Sequence, residues 1–184
     1  MTMMERLIGY LTGHFDNSQQ LERFEREGIT GYPRAEHRNT VCNDRITGLP
    51  ADFSGVFVLE EESYYTTDGK TNAMPHLFLF TEEEGGIKLT SYDMPEGYTK
   101  ENFTSDNLKE TAWESLKISE KFTPIIYHEE NGAFVGKGVS MFSPVLKFKL
   151  EERFDSEVLE VSETFEVNGK RTFGYDLPLE YRRV

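Results

Sequence analysis

The chain has 184 residues, 37% of them hydrophobic and 13% aromatic, enough apolar material for one packed domain and too much for a disordered one. Its 33 acidic against 20 basic residues give a formal charge of −13. The scattered basic residues form no stripe for nucleic acid, and acidic runs at Glu60–Glu62 and Glu82–Glu84 oppose docking on an anionic membrane.

Those acidic runs read as solvated surface. No apolar run is long enough to span a bilayer. The N-terminal stretch carries Glu5 and a helical pattern rather than the marks of a signal peptide. The single cysteine, Cys42, excludes an intrachain disulfide, so a cytoplasmic setting is the expectation.

Thr2 followed by Glu5 forms a capping box ahead of Met4, Leu7, Ile8 and Leu11, which fall on one helical face, with Gly13 as a stop. Asn17, Gln20, Leu21 and Phe24 signal a second short helix that ends at Gly28. From Glu36 the period becomes two, and residues 36–46 read as a strand. Four turn signals follow: Asp68-Gly69, Gly85-Gly86, Asn131-Gly132 and Asn168-Gly169. They propose strands at 54–66 and 74–81, 76–82 and 87–93, 122–129 and 133–139, and 157–166 and 170–175. Residues 145–151 and 178–183 add two more. A helix over 106–117 is expected from Asn107, Leu108, Glu110, Ala112 and Leu116, with Trp113 beside it.

Roughly nine or ten antiparallel strands with few helices make a sandwich or a closed barrel. The late hairpin favours closure, because the last strand must then pair with an early one. Phe165, Phe173 and Tyr175 would pack its wall or core. The whole of 1–184 is read as a single domain.

Four regions in this order are similar to a known family. They are Leu11 to Gln20 (LTGHFDNSQQ), Glu61-Glu62-Ser63-Tyr64 followed by Pro75, Phe134-Val135-Gly136, and the closing VNGKRTFGYDLPLEYRR. Together they resemble the CpcT/CpeT-type chromophore lyases, which attach bilins to phycobiliproteins. The resemblance implies a mainly β, calycin- or lipocalin-like antiparallel barrel with N-terminal helices and one inserted helix. It also implies a bilin or other tetrapyrrole ligand, held without a covalent bond, and an acceptor protein that supplies the attacking thiol. The chain departs from the family where Pro-Tyr-Arg-x-Arg is replaced by Pro75-His76-Leu77-Phe78-Leu79, so two arginines that would pair with propionates are absent. The Gly-Cys that precedes the family's Phe-x-Gly strand is also missing.

The candidate ligand-binding residues are Glu61, Tyr64, His76, Arg38 and Arg45. Glu61 and Tyr64 stand three apart, so on a regular strand only one faces a cavity. Tyr64 can stack on a planar ligand, and an inward carboxylate can accept pyrrole N–H groups. The plainer alternative is an exposed glutamate and a core tyrosine. Arg38 and Arg45 are candidate anion anchors or surface residues, and His76 is a candidate titrating group or a structural histidine. The four histidines, His14, His37, His76 and His128, show no metal-ligand spacing with each other or with Cys42, so no metal is expected. Gly136-Lys137-Gly138 reads as a barrel bend or bulge. Cys42, beside Asp44, reads as a small half-buried residue rather than a nucleophile.

The leading expectation is a small-molecule-binding barrel with a flat, mostly apolar guest; lyase activity is implied by the resemblance alone. The alternative is a barrel with a filled interior that acts as an interaction protein through its acidic surface. No catalytic constellation is visible. Neither nucleic acid nor membrane is an expected partner, and a homodimer is allowed.

Overall fold

The computed structural model describes residues 1–66 and 68–184. In chain order its elements are α1 (Met3–Leu11), β1 (Gly13–Asp16), α2 (Ser18–Glu27), β2 (Arg34–Val41), β3 (Ile46–Thr47), β4 (Val56–Tyr65), β5 (Thr71–Glu83), β6 (Gly86–Tyr92), β7 (Thr111–Ala112), β8 (Ile125–Glu130), β9 (Ala133–Met141), β10 (Leu146–Phe154), β11 (Leu159–Val167), β12 (Lys170–Phe173) and β13 (Leu179–Arg183). No described helix is long and apolar enough to cross a membrane.

Ten of the strands form a closed antiparallel ring in the order β10-β9-β8-β6-β5-β4-β2-β1-β13-β11, and β11 pairs with β10 to complete it. Closure depends on β13. It pairs with β1 at Phe15↔Arg183 and with β11 at Leu159↔Tyr181 and Val161↔Leu179. Helix α2 holds β13 in place. The Gln20 amide donates to Pro178 O at 2.8 Å and accepts from Glu180 N at 3.0 Å, and Arg23 grips the Glu180 carboxylate at 2.7 and 3.0 Å.

The turn chemistry reads as expected. Asn131 and Gly132, and likewise Asn168 and Gly169, adopt positive φ, which the tight hairpins require. The second hairpin does something the sequence did not suggest: β12 is not a member of the ring. It meets β11 at Phe165–Val167, beyond the reach of β13, and forms a lip above the barrel wall.

Helix α1 closes the opposite end. Its capping box is present, with Thr2 N donating to Glu5 Oε2 at 2.7 Å and Glu5 N to Thr2 Oγ1 at 3.1 Å. Met4, Leu7 and Leu11 join one core cluster with Ile87, Tyr127, Phe134, Phe154 and Leu159, which share a rim in the strand register. The Arg183 guanidinium donates to the carbonyls of Thr12 and Gly9, at 2.7 and 3.1 Å, and so satisfies the helix end.

Two expectations need correction. Residues 106–117 form no α-helix: two-residue β7 pairs in parallel with β3, and a single 3-10 turn spans Trp113–Ser115. The helical spacing of Leu108 and Leu116 instead serves a second cluster outside the barrel. There Trp113 packs on Phe53, Phe57 and Tyr92, and Leu108 is buried with Phe103 against the outward face of β4 and β5. Burial of these large side chains outweighs local helix preference.

Gly136 and Gly138 mark no bulge, because the β9–β10 register runs through them unbroken. Both face inward, where a Cβ would lie 2.5 Å from the Tyr127 ring or 2.6 Å from Ile125. Helix α2 forms where Asn17 and Gln20 signal it; the Asn17 side chain donates to Pro33 O and accepts from Ala35 N, each at 2.9 Å, rather than bonding to the helix.

A methyl group at Gly136 has no space beside a fully buried tyrosine. Gly136→Ala is expected to lower unfolding free energy by about 1–3 kcal/mol, measured by urea denaturation. Unchanged stability would mean that Tyr127 can leave its present seat.

Candidate functional site

Alternation along the strands decides what the lumen contains. On β4, Val58, Glu60, Glu62 and Tyr64 point inward, while Phe57 and Leu59 pack in the outer cluster. The register pairs Glu60 with His76 on β5 and Glu62 with His37 on β2. Glu152 and Glu163 enter from β10 and β11. The middle of the barrel thus holds four carboxyl groups and two imidazoles. Glu62 and His37 are each only 1% exposed.

These groups face one another without close hydrogen bonds. His37 Nδ1 lies 3.7 Å from Glu60 Oε2, His37 Nε2 lies 3.7 Å from Glu62 Oε1, and His76 Nε2 lies 3.8 Å from Glu62 Oε2. Both Glu62 oxygens, both His37 ring nitrogens and the Tyr181 hydroxyl lack a hydrogen-bond partner among the described residues. Tyr127 donates to Glu152, and Tyr64 donates to Glu163 at 3.3 Å. His37 packs on the Tyr181 ring at 4.4 Å, and His76 stacks on Phe78 at 5.2 Å.

Burial and mutual charge perturb these groups strongly. Burial opposes charge on His37, but the nearby Glu60, Glu62 and Glu152 outweigh it and raise its pKa to about 9. Burial, reinforced by the Glu60 charge, pushes Glu152 up to about 7. Burial and the charges of Glu62 and Glu60 hold Glu163 well above the usual carboxylate range. Burial would also raise Glu62, yet the facing His76 and His37 prevail and hold it below its ordinary value.

Above this polar centre is an open funnel of about 720 Å³. Its walls include Tyr32, Tyr65, Phe165, Phe173 and Tyr175, and Tyr64 and Met74 reach it from β4 and β5. The rings brace one another: Tyr32 stacks on Tyr175 at 5.0 Å, Phe173 meets Tyr175 at 5.9 Å and Phe165 at 6.1 Å, and Tyr64 meets Phe173 at 6.3 Å. At the rim, the Arg34 guanidinium sits 5.3 Å over the Tyr65 ring. Below Tyr64 the lumen is packed down to a void of about 30 Å³, bordered by Glu60, His76, Glu152 and Glu163. That is room for one or two waters. A large guest therefore fits the funnel and not the lumen, which revises the expectation of a hollow interior.

Of the five residues singled out from sequence, the structure turns two into the barrel. Tyr64 lines the funnel and donates to Glu163, which borders the void, as does His76. Glu61 faces away; its carboxylate accepts from Ser105 N and Oγ, both at 2.8 Å, and so anchors the outer loop. Arg38 is on the outer face of β2, between inward His37 and Asn39. Arg45 is not on that strand, which ends at Val41. It lies in the following 3-10 turn, half exposed and 3.6 Å from Asp44.

Glu60 and Glu62, read from sequence as part of a solvated acidic run, are buried. Period two counted back from Tyr64 places both on its face. No protein-family model matches the chain, and no curated protein matches it.

The raised groups set a pH dependence. His37 and Glu152 both bind protons more tightly when folded, so their stabilisation is complete below their ordinary values of 6.5 and 4.5 and is lost as pH rises through about 9 and about 7. Glu62 acts in the opposite sense, but only toward acid. The urea midpoint is expected to fall between about pH 6 and 9, and Glu152→Gln to flatten its slope between about pH 5 and 7. A midpoint that is flat or rises over that range contradicts this electrostatic picture.

Proposed function

We propose that the protein is a small-molecule-binding barrel whose funnel takes the flat, apolar part of a ligand. The observation that carries this is the aromatic funnel of about 720 Å³, within the range of pockets that enclose drug- or cofactor-sized molecules. Its walls are rings already braced by neighbours, so little side-chain entropy is lost when a planar guest slides between them. Its floor is Tyr64, held by Glu163. A guest with N–H groups finds acceptors there, and one with a peripheral carboxylate finds Arg34 at the rim.

A bilin or related tetrapyrrole combines these features: an extended π-system, pyrrole N–H donors and peripheral acid groups. In the narrower form of the proposal the chain presents such a chromophore to a cysteine of an acceptor protein, as the resemblance to the CpcT/CpeT-type lyases suggests. Its contribution would be orientation and exclusion of water rather than a nucleophile of its own. Cys42 is unsuited to attack: it is buried in the outer cluster, and burial, aided by Asp44, pushes its thiol up to about 12.

Titration with biliverdin, phycocyanobilin and haem tests this through the visible spectrum. One of them is expected to give a saturable, red-shifted band, with affinity reduced about tenfold in Tyr64→Ala and in Phe173→Ala. If none of the three, and no fatty acid of a test series, binds saturably, the funnel is not a tetrapyrrole or lipid site, and the filled-barrel interaction protein becomes the better reading.

A further inference from the structure

We propose that Glu60, Glu62 and His76 form a site for one divalent transition-metal ion inside the barrel, beneath the funnel and independent of any guest in it. The three side chains each offer a ligand atom, and these atoms all lie within 4.8 Å of one another. The strand register makes the arrangement. Glu60 is directly opposite His76 across the β4–β5 ladder, and Glu62 is two residues further along the same face of β4.

Two features separate this cluster from an ordinary group of acids. The first is the state of Glu62: at 1% exposure, neither of its oxygens has a hydrogen-bond partner among the described residues. His37 and His76 face it at 3.7 and 3.8 Å and offset its charge, but neither satisfies its lone pairs, which a directly bound metal ion would do. The second is spacing. His76 Nε2 and Glu62 Oε2 are 3.8 Å apart, too far for a hydrogen bond. Two ligand atoms each about 2.1 Å from a shared tetrahedral ion stand roughly 3.4 Å apart, so the His76–Glu62 pair needs a closure of a few tenths of an ångström, and Glu60, whose oxygen lies within 4.8 Å of both, needs a side-chain shift of up to about 1.4 Å to join them.

The surroundings match what a metal site requires. His76 is held in plane by stacking on Phe78 and by an edge contact from Phe122 at 6.0 Å. His37 stands behind both carboxylates, 3.7 Å from each, close enough to interact with them through charge but not through a hydrogen bond. Glu60 and His76 also border the void of about 30 Å³, so three protein ligands leave an open position with space for a water. An imidazole among two carboxylates favours zinc, manganese, iron or cobalt over magnesium and calcium, which prefer oxygen alone.

The test uses purified protein after dialysis against EDTA. Isothermal titration with Zn²⁺ and Mn²⁺ is expected to show one tight equivalent, unaffected by excess Mg²⁺. Glu62→Gln and His76→Ala are each expected to weaken binding by more than about 100-fold, while Glu61→Gln, which removes an equal charge from the outer face of the same strand, leaves it unchanged. Circular dichroism checks that each variant is folded. Should the variants not fold, the wild-type protein still decides the matter: bound Co²⁺ is expected to give the intense visible bands of a low-coordinate nitrogen and oxygen site. Absence of a stoichiometric site, equal binding by wild type and Glu62→Gln, or weak six-coordinate Co²⁺ bands would each overturn the proposal.

Discussion

β13 has five residues, yet the ring exists only because they bridge two strands from opposite ends of the chain. Without β13, β1 and β11 would each present an unpaired edge, and the lumen would open to water along its length. The strand is short, so its backbone ladder needs side-chain support. Gln20 supplies it by pairing with the backbone on both sides of Leu179, and Arg23 adds a two-pronged contact to Glu180. Arg183 then ties the far end of β13 to the last turn of α1. The helices are therefore fasteners of the barrel seam as much as covers for its ends.

Closure makes the polar interior possible. Four carboxyl groups and two imidazoles sit where a small barrel would ordinarily hold aliphatic side chains. Below Tyr64 a layer of Ile87, Tyr127, Phe134 and Phe154, sealed by α1, supplies the apolar stability. Outside β4 and β5, the loop carrying Phe103, Leu108 and Trp113 adds a second apolar layer. The strands that carry Glu60, Glu62 and His76 are thus packed on both faces. Rigid strands keep like-charged groups close together even though their mutual repulsion opposes it, and pKa values shift instead of the backbone.

Much of this fold was legible locally. Asn131-Gly132 and Asn168-Gly169 marked their hairpins because a type I′ turn requires positive φ and these residues tolerate it. The capping box at Thr2 and Glu5 was equally local. The failure at 106–117 has a long-range cause: Leu108, Trp113 and Leu116 have helical spacing, but the surface they cover is the outer wall of other strands. The site divides the same way. Tyr64 and His76 were visible as residue types suited to a lumen. Glu60 and Glu62 were hidden by their neighbour Glu61, since three consecutive acids look like a solvated run even when the pleat turns two of them inward. Glu152 and Glu163 gave no local signal, because their place opposite β4 is set by the closure of the barrel.

The lip formed by β12 has a different status from the ring below it. It hangs from the far end of β11, shares no ladder with β13, and carries Phe173 into the funnel wall. The hydrogen bonds that close the barrel do not pass through it. Substitutions there can reshape the mouth without breaking the hydrogen bonds of the seam, so the entrance can change its contour while the acid-lined chamber beneath stays as it is.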